Sequence, residues 1–510
     1  MQNFMFITML FTRFKRFVAS QTFFWCIVGF LIIQALWIAL SSHYPMAFDE
    51  DFHLGIIRIY AHHLSPFLPG QPAGADMFGA VARDPSYLYH YLFSFPYRLV
   101  SALTGSLTTQ VITLRCLNIA LFASGLIVLR ALSRALKAPT VVINLSLLLF
   151  VLIPVVPLLA AQINYDNAFI PLVSYCFLLT LRYGHLLRSE HRCDVSSLLA
   201  LSIACGITSL VKYAFLPILL TIAVYVIVDS YLVLRLFRVP LRKRFTFTAA
   251  GSHRLRTPLL LIGVIIALGL GIQRYGVNLV RYHTPIPACG KVLSVRQCST
   301  YGPWIRDYDF EINKVDDEHN PIVFTEDWLY GMWLRLYFSV DGPATQYQTR
   351  GPLPVPALSA IVIAVGGAML LLFGIRKIMR EHNSSAVVLV MTTAGVYIAT
   401  LWFDEYEAYV RTGQPVAING RYLLPVAAVL LVVAGMCAHR ILRSRPRLLI
   451  GLAFFAVISQ LWGGGVFTYI MRSNDGWYRR DNHVLSANHA VQRVLGPLTP
   501  GYNEPAEFLK

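Results

Sequence analysis

Thr22 to Ser41 reads TFFWCIVGFLIIQALWIALS, and six residues later comes Phe48-Asp49-Glu50-Asp51-Phe52-His53-Leu54. The first stretch carries no charged side chain and has about the length a helix needs to cross the hydrocarbon core of a bilayer. The second puts three consecutive carboxylates and an imidazole where that helix leaves the membrane. Ionisable groups at such a boundary serve either a site or a solvated loop end, and these residues alone leave both open.

Working outward, 510 residues that are 56% hydrophobic and 14% charged, with a mean hydropathy of +0.57, describe a polytopic membrane protein rather than a set of soluble domains. Arg13, Lys15 and Arg16 precede the first run and no small-residue cleavage site follows it, the pattern of a retained signal anchor with residues 1–21 cytoplasmic. Further apolar runs lie at about 112–132, 141–160, 167–184, 196–211, 214–235, 257–275, 355–375, 384–402, 422–439 and 448–470. The expectation is therefore an all-α bundle of about 11 transmembrane helices over 22–470, with external loops at 42–111 and 276–354 and an external tail at 471–510. Within the first loop, Leu54–Leu64 and the aromatic-rich segment from Asp84 to about Leu103 read as interfacial helices, the second too rich in Tyr, His and Arg for a span.

The net charge of +17 follows this topology. The segments placed on the cytoplasmic side hold 23 of the 43 Lys and Arg but 4 of the 26 Asp and Glu. That is the positive-inside asymmetry, and it points to lipid headgroups rather than nucleic acid as the partner. Five of the eight cysteines fall in apolar runs and read as packing. Cys289 and Cys298, nine apart in the second external loop, are placed for a disulfide in an oxidising compartment. The same loop carries Asp307, Asp309, Glu311, Asp316, Asp317 and Glu318, an acidic stretch that solvation alone explains. No CxxC pair, zinc pattern, GxxxxGK[ST] or strand-linked GxGxxG is present.

Four polar features share the external face of this topology. Asp49, Glu50, Asp51 and His53 are the first. Gln162-Ile163-Asn164-Tyr165-Asp166-Asn167 is a short connection between spans, where turn chemistry also favours Asn and Asp. Lys212 stands at a second tight turn, either as a snorkelling lysine or as a ligand. Asn419-Gly420-Arg421-Tyr422 leads into a span, and its arginine fork suits a phosphate or a structural ion pair. Together they offer a carboxylate base and one or two cations at the rim of a bundle, as transfer of a group from an anionic lipid carrier to a hydroxyl requires. Asn164 and Asp166, with Tyr87 and His90 of the aromatic segment, are the expected pocket residues.

Phe48–Leu54 resembles the F-D-E-x-H-F stretch of protein O-mannosyltransferases with one residue inserted. Gly206-Ile207-Thr208-Ser209-Leu210-Val211-Lys212, followed by Leu216-Pro217, is similar to a G-L-A-x-L-T-K and L-P pattern of that group and of the aminoarabinose transferases. Gln162–Asp166 and Gly420–Pro425 look most like the bacterial DUF2142 family. These families share the GT-C architecture of membrane glycosyltransferases. The resemblance implies an inverting transferase of the bacterial inner membrane that moves a sugar from a polyprenyl-phosphate donor to a glycan, lipid or protein acceptor. It implies Asp49 as general base with Glu50 in support; by their own chemistry His53 is expected to complete the pocket and Lys212, Arg421 and Tyr422 to meet the donor phosphate. The inserted residue leaves Asp51 as the other candidate base. No cofactor is expected from the mannosyltransferase-like members, while Asp49 and Asp51 are spaced as the D-x-D that oligosaccharyltransferases use to hold a divalent cation. The rival class is a lipid or polysaccharide transporter or polymerase-type protein, which would place polar residues in mid-span and show repeated halves.

Overall fold

The computed structural model describes residues 13–240, 244–246, 256–314, 319–341, 348–381 and 384–502; Asp316, Asp317, Glu318, residues 1–12 and 503–510, and most of the basic run at 241–255 lie outside the described residues. In chain order the helices are α1 (Gln21–Ser41), α2 (Glu50–Ala61), α3 (Leu88–Leu103), α4 (Leu107–Ala135), α5 (Thr140–Leu152), α6 (Val155–Ala160), α7 (Asp166–Glu190), α8 (Val195–Val211), α9 (Leu216–Leu236) and α10 (Arg256–Gly271). Then come α11 (Gly302–Ile312), α12 (Pro321–Tyr337), α13 (Pro354–Glu381), α14 (Ser384–Thr412), α15 (Leu424–Ile441), α16 (Pro446–Leu461), α17 (Val466–Arg472) and α18 (Asn482–Leu495). Two short strand pairs accompany them, so the protein is an all-α polytopic bundle.

Among the described residues, nine helical stretches are long and apolar enough to cross a membrane: α1, α4, α7, α9, α10, α13, α14, α15 and α16 continued by α17. The eleven expected spans are thus nine long helices and two shorter ones, α5 and α8, of 13 and 17 residues. The helices α2 and α3, with 12 and 16 residues, are too short to span and pack against each other, Arg98 Nη2 donating to Tyr60 O at 2.8 Å.

Two expected spans are broken, and each break supplies what the other lacks. Pro154 has no N–H to continue α5, so the run at 141–160 divides into α5 and α6. The run at 448–470 divides at Trp462–Gly465. Gly465 N donates to the freed carbonyl of Leu152 at 2.6 Å, and Gln34 Oε1 of α1 accepts from Val466 N at 2.9 Å. Backbone at this depth is tolerated only when protein satisfies it. Gly465 is required here, because its φ is +58° and a methyl would collide with Gln34 Oε1. Likewise α10 does not end near 275 but runs on through a π turn, Ile272–Gly276, to Tyr282, and α14 extends past 402 to Thr412.

Two apolar cores hold the bundle. One joins α2, α3, α7, α8, α9, α14 and α15 through residues such as Leu54, Ile57, Phe169, Leu210, Val390 and Val429. The other joins α1, α4, α5, α6 and α17 through Leu31, Ile38, Leu126, Phe150, Val156 and Tyr469. The chain after α17 returns to the end of α1, where Ser42 bridges to Tyr478 and Arg479 N donates to Ser41 O at 2.8 Å. At the opposite end of α1, Asn144 Nδ2 donates to Val18 O at 2.7 Å. The Asp49, Asp166, Lys212 and Arg421 segments therefore share one end of the bundle with the described part of the tail.

Candidate active site

Met46 to Glu50 makes a turn that sends neighbouring carboxylates in opposite directions. Phe48 and Asp49 both adopt left-handed backbone, φ 66° and 67°, and Asp49 stands as the first residue before α2. Asp and Asn tolerate that conformation better than most residues. Asp49 points outward with 58% of its side chain exposed. Glu50 points inward and is fully buried, its carboxylate accepting from Arg115 Nε at 2.8 Å, Arg115 Nη2 at 2.7 Å, Met46 N at 2.8 Å and Ile163 N at 3.1 Å. Glu50 is thus not a wall of the cavity; it is the clamp behind the turn. Arg115, inside the span of α4, also donates to the carbonyls of Ala39, Ser42 and His43, tying the end of α1 to the same turn.

From Asp49 a line of alternating charges runs into the protein. Arg421 Nη2 donates to Asp49 Oδ2 at 2.9 Å, and Arg421 Nη1 donates to Phe48 O at 3.1 Å. Arg421 Nε lies 4.0 Å from Asp166 Oδ2, and Asp166 Oδ1 accepts from Lys212 Nζ at 2.6 Å. Asn164 fixes both neighbours, its Nδ2 donating to Phe48 O and its Oδ1 accepting from Asp166 N. The Lys212 ammonium sits over the rings of Tyr165, Phe169 and Tyr422, 4.6–5.6 Å away. Burial pushes its pKa down, while the Asp166 carboxylate pulls it back up.

A cavity of about 1420 Å³ opens over this turn. Asp49, Asp51, His53, Arg421 and Tyr422 line it. The other expected site residues do not: Asn164, Asp166 and Lys212 form the layer behind Arg421, His90 backs His53, and Tyr87 lies beneath Arg274, whose guanidinium is 4.4 Å from its ring. Lys212 is not part of the cavity wall: its ammonium faces the Asp166 carboxylate and the rings of Tyr165, Phe169 and Tyr422. Several lining residues carried no motif. Asp84 and Ser86 come from the start of the aromatic segment, and Tyr301, Arg306, Asp327 and Arg335 come from the second large loop and α12. Burial raises the Asp84 pKa, and Ser86 N, donating to Asp84 Oδ1 at 2.9 Å, opposes that rise. Arg335 is half-buried and has no ion pair among the described residues. The Cys289–Cys298 disulfide closes the segment that delivers Tyr301 onto Phe52, ring centroids 6.1 Å apart.

Among solved structures, the chain is similar to ArnT from Cupriavidus metallidurans in the apo state, with 16% identity and a TM-score of 0.40 over 85% of this chain and 63% of that one. The same protein bound to undecaprenyl phosphate aligns at 14% identity and a TM-score of 0.41, over 93% and 73% of the two chains. The Archaeoglobus fulgidus oligosaccharyltransferase, tethered with an acceptor peptide containing the NVT sequon via a disulfide bond, aligns at 12% identity and a TM-score of 0.40, over 88% and 56%. No family model and no curated protein matches the chain. The chain thus spans 63% of the first of these structures, and at such scores the shared arrangement is partial. Its chemistry has to come from its own side chains.

Asp49 and Asp51, the pair that would hold a divalent cation, gather no third His, Cys, Asp or Glu among the described residues, and Asp49 already faces a guanidinium. A divalent cation held there would have to complete its shell with water or donor-phosphate oxygens. The cation wall of the cavity depends instead on close packing between α12 and the 3₁₀ turn Gly420–Leu423. A methyl at Gly420 would strike the Met332 carbonyl and come within 2.6 Å of Leu336 Cγ. Gly420→Ala is therefore expected to lower stability by about 1–3 kcal/mol, read as the thermal midpoint of the detergent-solubilised protein. An unchanged midpoint would show that α12 is not seated on this turn.

Proposed function

We propose that this protein is a GT-C-type glycosyltransferase that moves a sugar from a polyprenyl-phosphate-linked donor to a hydroxyl acceptor, with inversion. The observation that carries this is the Asp49 carboxylate, open to a large cavity and 2.9 Å from the Arg421 guanidinium. Asp49 Oδ2 is held by Arg421, and among the described residues Oδ1 has no hydrogen-bond partner, so one oxygen is oriented and the other is available. In the reaction, Asp49 takes the proton of the acceptor O–H as that oxygen attacks the anomeric carbon. The bond from that carbon to the phosphate oxygen breaks, and polyprenyl phosphate leaves with the electron pair. Arg421 and Arg335, which has no ion pair among the described residues, stabilise the charge that develops on it. Asp166 and Lys212 stand behind Arg421 and set its position rather than touching the donor. A single displacement of this kind inverts the anomeric centre.

The bilayer supplies the carrier, and the acceptor is a glycan, lipid or protein hydroxyl. The charge asymmetry supports a cell-membrane location, a bacterial inner membrane in this reading, with the cavity, the large loops and the tail facing out and the N-terminus in the cytoplasm.

Purified protein incubated with a panel of short-chain polyprenyl-phosphate sugars is expected to release polyprenyl phosphate from one or more of them. No release from any donor, with the donors bound, would favour a transporter that uses the same cavity. Arg421→Ala is expected to weaken donor binding about tenfold or more, the worth of a hydrogen bond to a charged group, and Arg421→Lys to weaken it less because the charge stays while the fork is lost. Unchanged donor affinity in Arg421→Ala would remove Arg421 from the phosphate site.

A further inference from the structure

We propose that His90 fixes the tautomer of His53, so that His53 presents a bare Nε2 to the cavity as an acceptor for a substrate hydroxyl. This rests on the sugar-transfer reading for the identity of the substrate, but not for the state of the ring. His90 Nδ1 lies 3.2 Å from the Ser86 carbonyl oxygen, which can only accept, so the hydrogen is on His90 Nδ1. A neutral imidazole has one N–H, which leaves His90 Nε2 bare. That nitrogen is 2.9 Å from His53 Nδ1, so His53 must donate to it and keep its own Nε2 bare.

The arrangement is held on every side. Ser86 is fixed by its N–H on Asp84 and by its hydroxyl, which accepts from Tyr213 N at 3.1 Å. The two imidazoles lie edge to edge with their planes 17° apart and centroids 5.2 Å apart, and Tyr165 stands edge-on to His53 at 4.6 Å. Tyr89 and Phe52 close the remaining sides, and the charged groups facing the pair are Arg421 and Lys212. Burial pushes both imidazoles down, His90 to about 3, and His90, Arg421 and Lys212 push His53 the same way, which favours the neutral rings that the hydrogen-bond pattern requires.

Asp49 and His53 are four residues apart at the start of α2, with His53 N donating to Asp49 O at 3.0 Å. Both side chains line the same cavity, Asp49 from the left-handed turn before α2 and His53 from its first turn. A carboxylate and a bare imidazole nitrogen are both acceptors, and a ligand that satisfies them must bring two donor groups. Two hydroxyls of a sugar do so, whereas an apolar chain does not. His90 is a positioning residue in this arrangement, since it reaches the substrate through His53.

The test uses full-length protein labelled with [15N]histidine and reconstituted in liposomes, with the His53 resonances assigned by their loss in His53→Asn. Solid-state NMR is expected to find His53 Nε2 bare and Nδ1 protonated. Glutamine at position 90 offers an oxygen to His53 Nδ1 and an N–H to Ser86 O, so His90→Gln keeps the tautomer, and His90→Phe, of similar bulk, loses it. With a short-chain polyprenyl-phosphate hexose as donor, His90→Phe is expected to raise KM about three- to tenfold, the loss of one neutral hydrogen bond, and His90→Gln to stay near wild type. A protonated Nε2 in the wild type, or His90→Gln and His90→Phe behaving alike in the NMR, overturns the proposal. A bare Nε2 in a protein that releases no polyprenyl phosphate supports the tautomer lock while overturning the transfer reading.

Discussion

Asp49→Asn is expected to lower turnover by about 10²-fold or more while donor affinity changes little, as loss of a general base does when the chemical step limits the rate. A hundredfold loss corresponds to about 2.7 kcal/mol of transition-state stabilisation. The substitution is clean for a structural reason. Position 49 has φ 67° and ψ 32°, and asparagine enters left-handed backbone as readily as aspartate. The turn should therefore form as before, and Arg421 keeps its bond to Phe48 O. What disappears is the basic lone pair. Asp51 lines the same cavity two residues on, so Asp51→Asn is the necessary control. Polyprenyl phosphate release is measured in both. Near-normal turnover in Asp49→Asn with collapse in Asp51→Asn would move the base to Asp51, and near-normal turnover in both would remove the carboxylate mechanism.

The bundle itself was legible because apolar runs of membrane length and the one-sided placement of Lys and Arg are composition effects that survive without contacts. The breaks in the spans were less so. Pro154 and the Gly463–Gly465 run are visible in the sequence, but that Leu152 O and Gly465 N satisfy each other is a tertiary fact. At the site, the segments around Asp49, Asp166, Lys212 and Arg421 meet at one end of the bundle, in keeping with the shared face inferred from the charge asymmetry. Their depth did not follow from the pattern. The left-handed turn at Phe48 and Asp49 sends Asp49 to the cavity and Glu50 to the core, although the two carboxylates look alike in sequence. Lys212 sits at a tight turn that tucks it under aromatic rings, and nothing in its neighbours distinguishes that from a snorkelling lysine. Tyr301 and Arg335 reach the cavity from a loop and a helix far along the chain. Arg115 could have been found, since an arginine inside the run at 112–132 asks for a buried partner and Glu50 was available.

Arg115→Met is expected to cost about 3–5 kcal/mol of stability, because it leaves the Glu50 carboxylate buried without its counter-charge. The pair is 1% and 0% exposed and bidentate, so water cannot take the place of the guanidinium. Replacing both partners by apolar residues often restores stability elsewhere, since two desolvation penalties vanish together. Here the recovery should be partial. Arg115 also serves the carbonyls of Ala39, Ser42 and His43, and Glu50 serves the amides of Met46 and Ile163, so Glu50→Leu with Arg115→Met leaves five backbone groups short of a partner. Chemical denaturation of the single and double variants, compared as a mutant cycle, measures the coupling. A double variant as unstable as the sum of the singles would show that the ion pair contributes nothing beyond its backbone bonds. The same clamp shapes the turn that aims Asp49 into the cavity, so Arg115→Met, assayed below its unfolding midpoint, should also lose turnover although Arg115 lies outside the cavity wall.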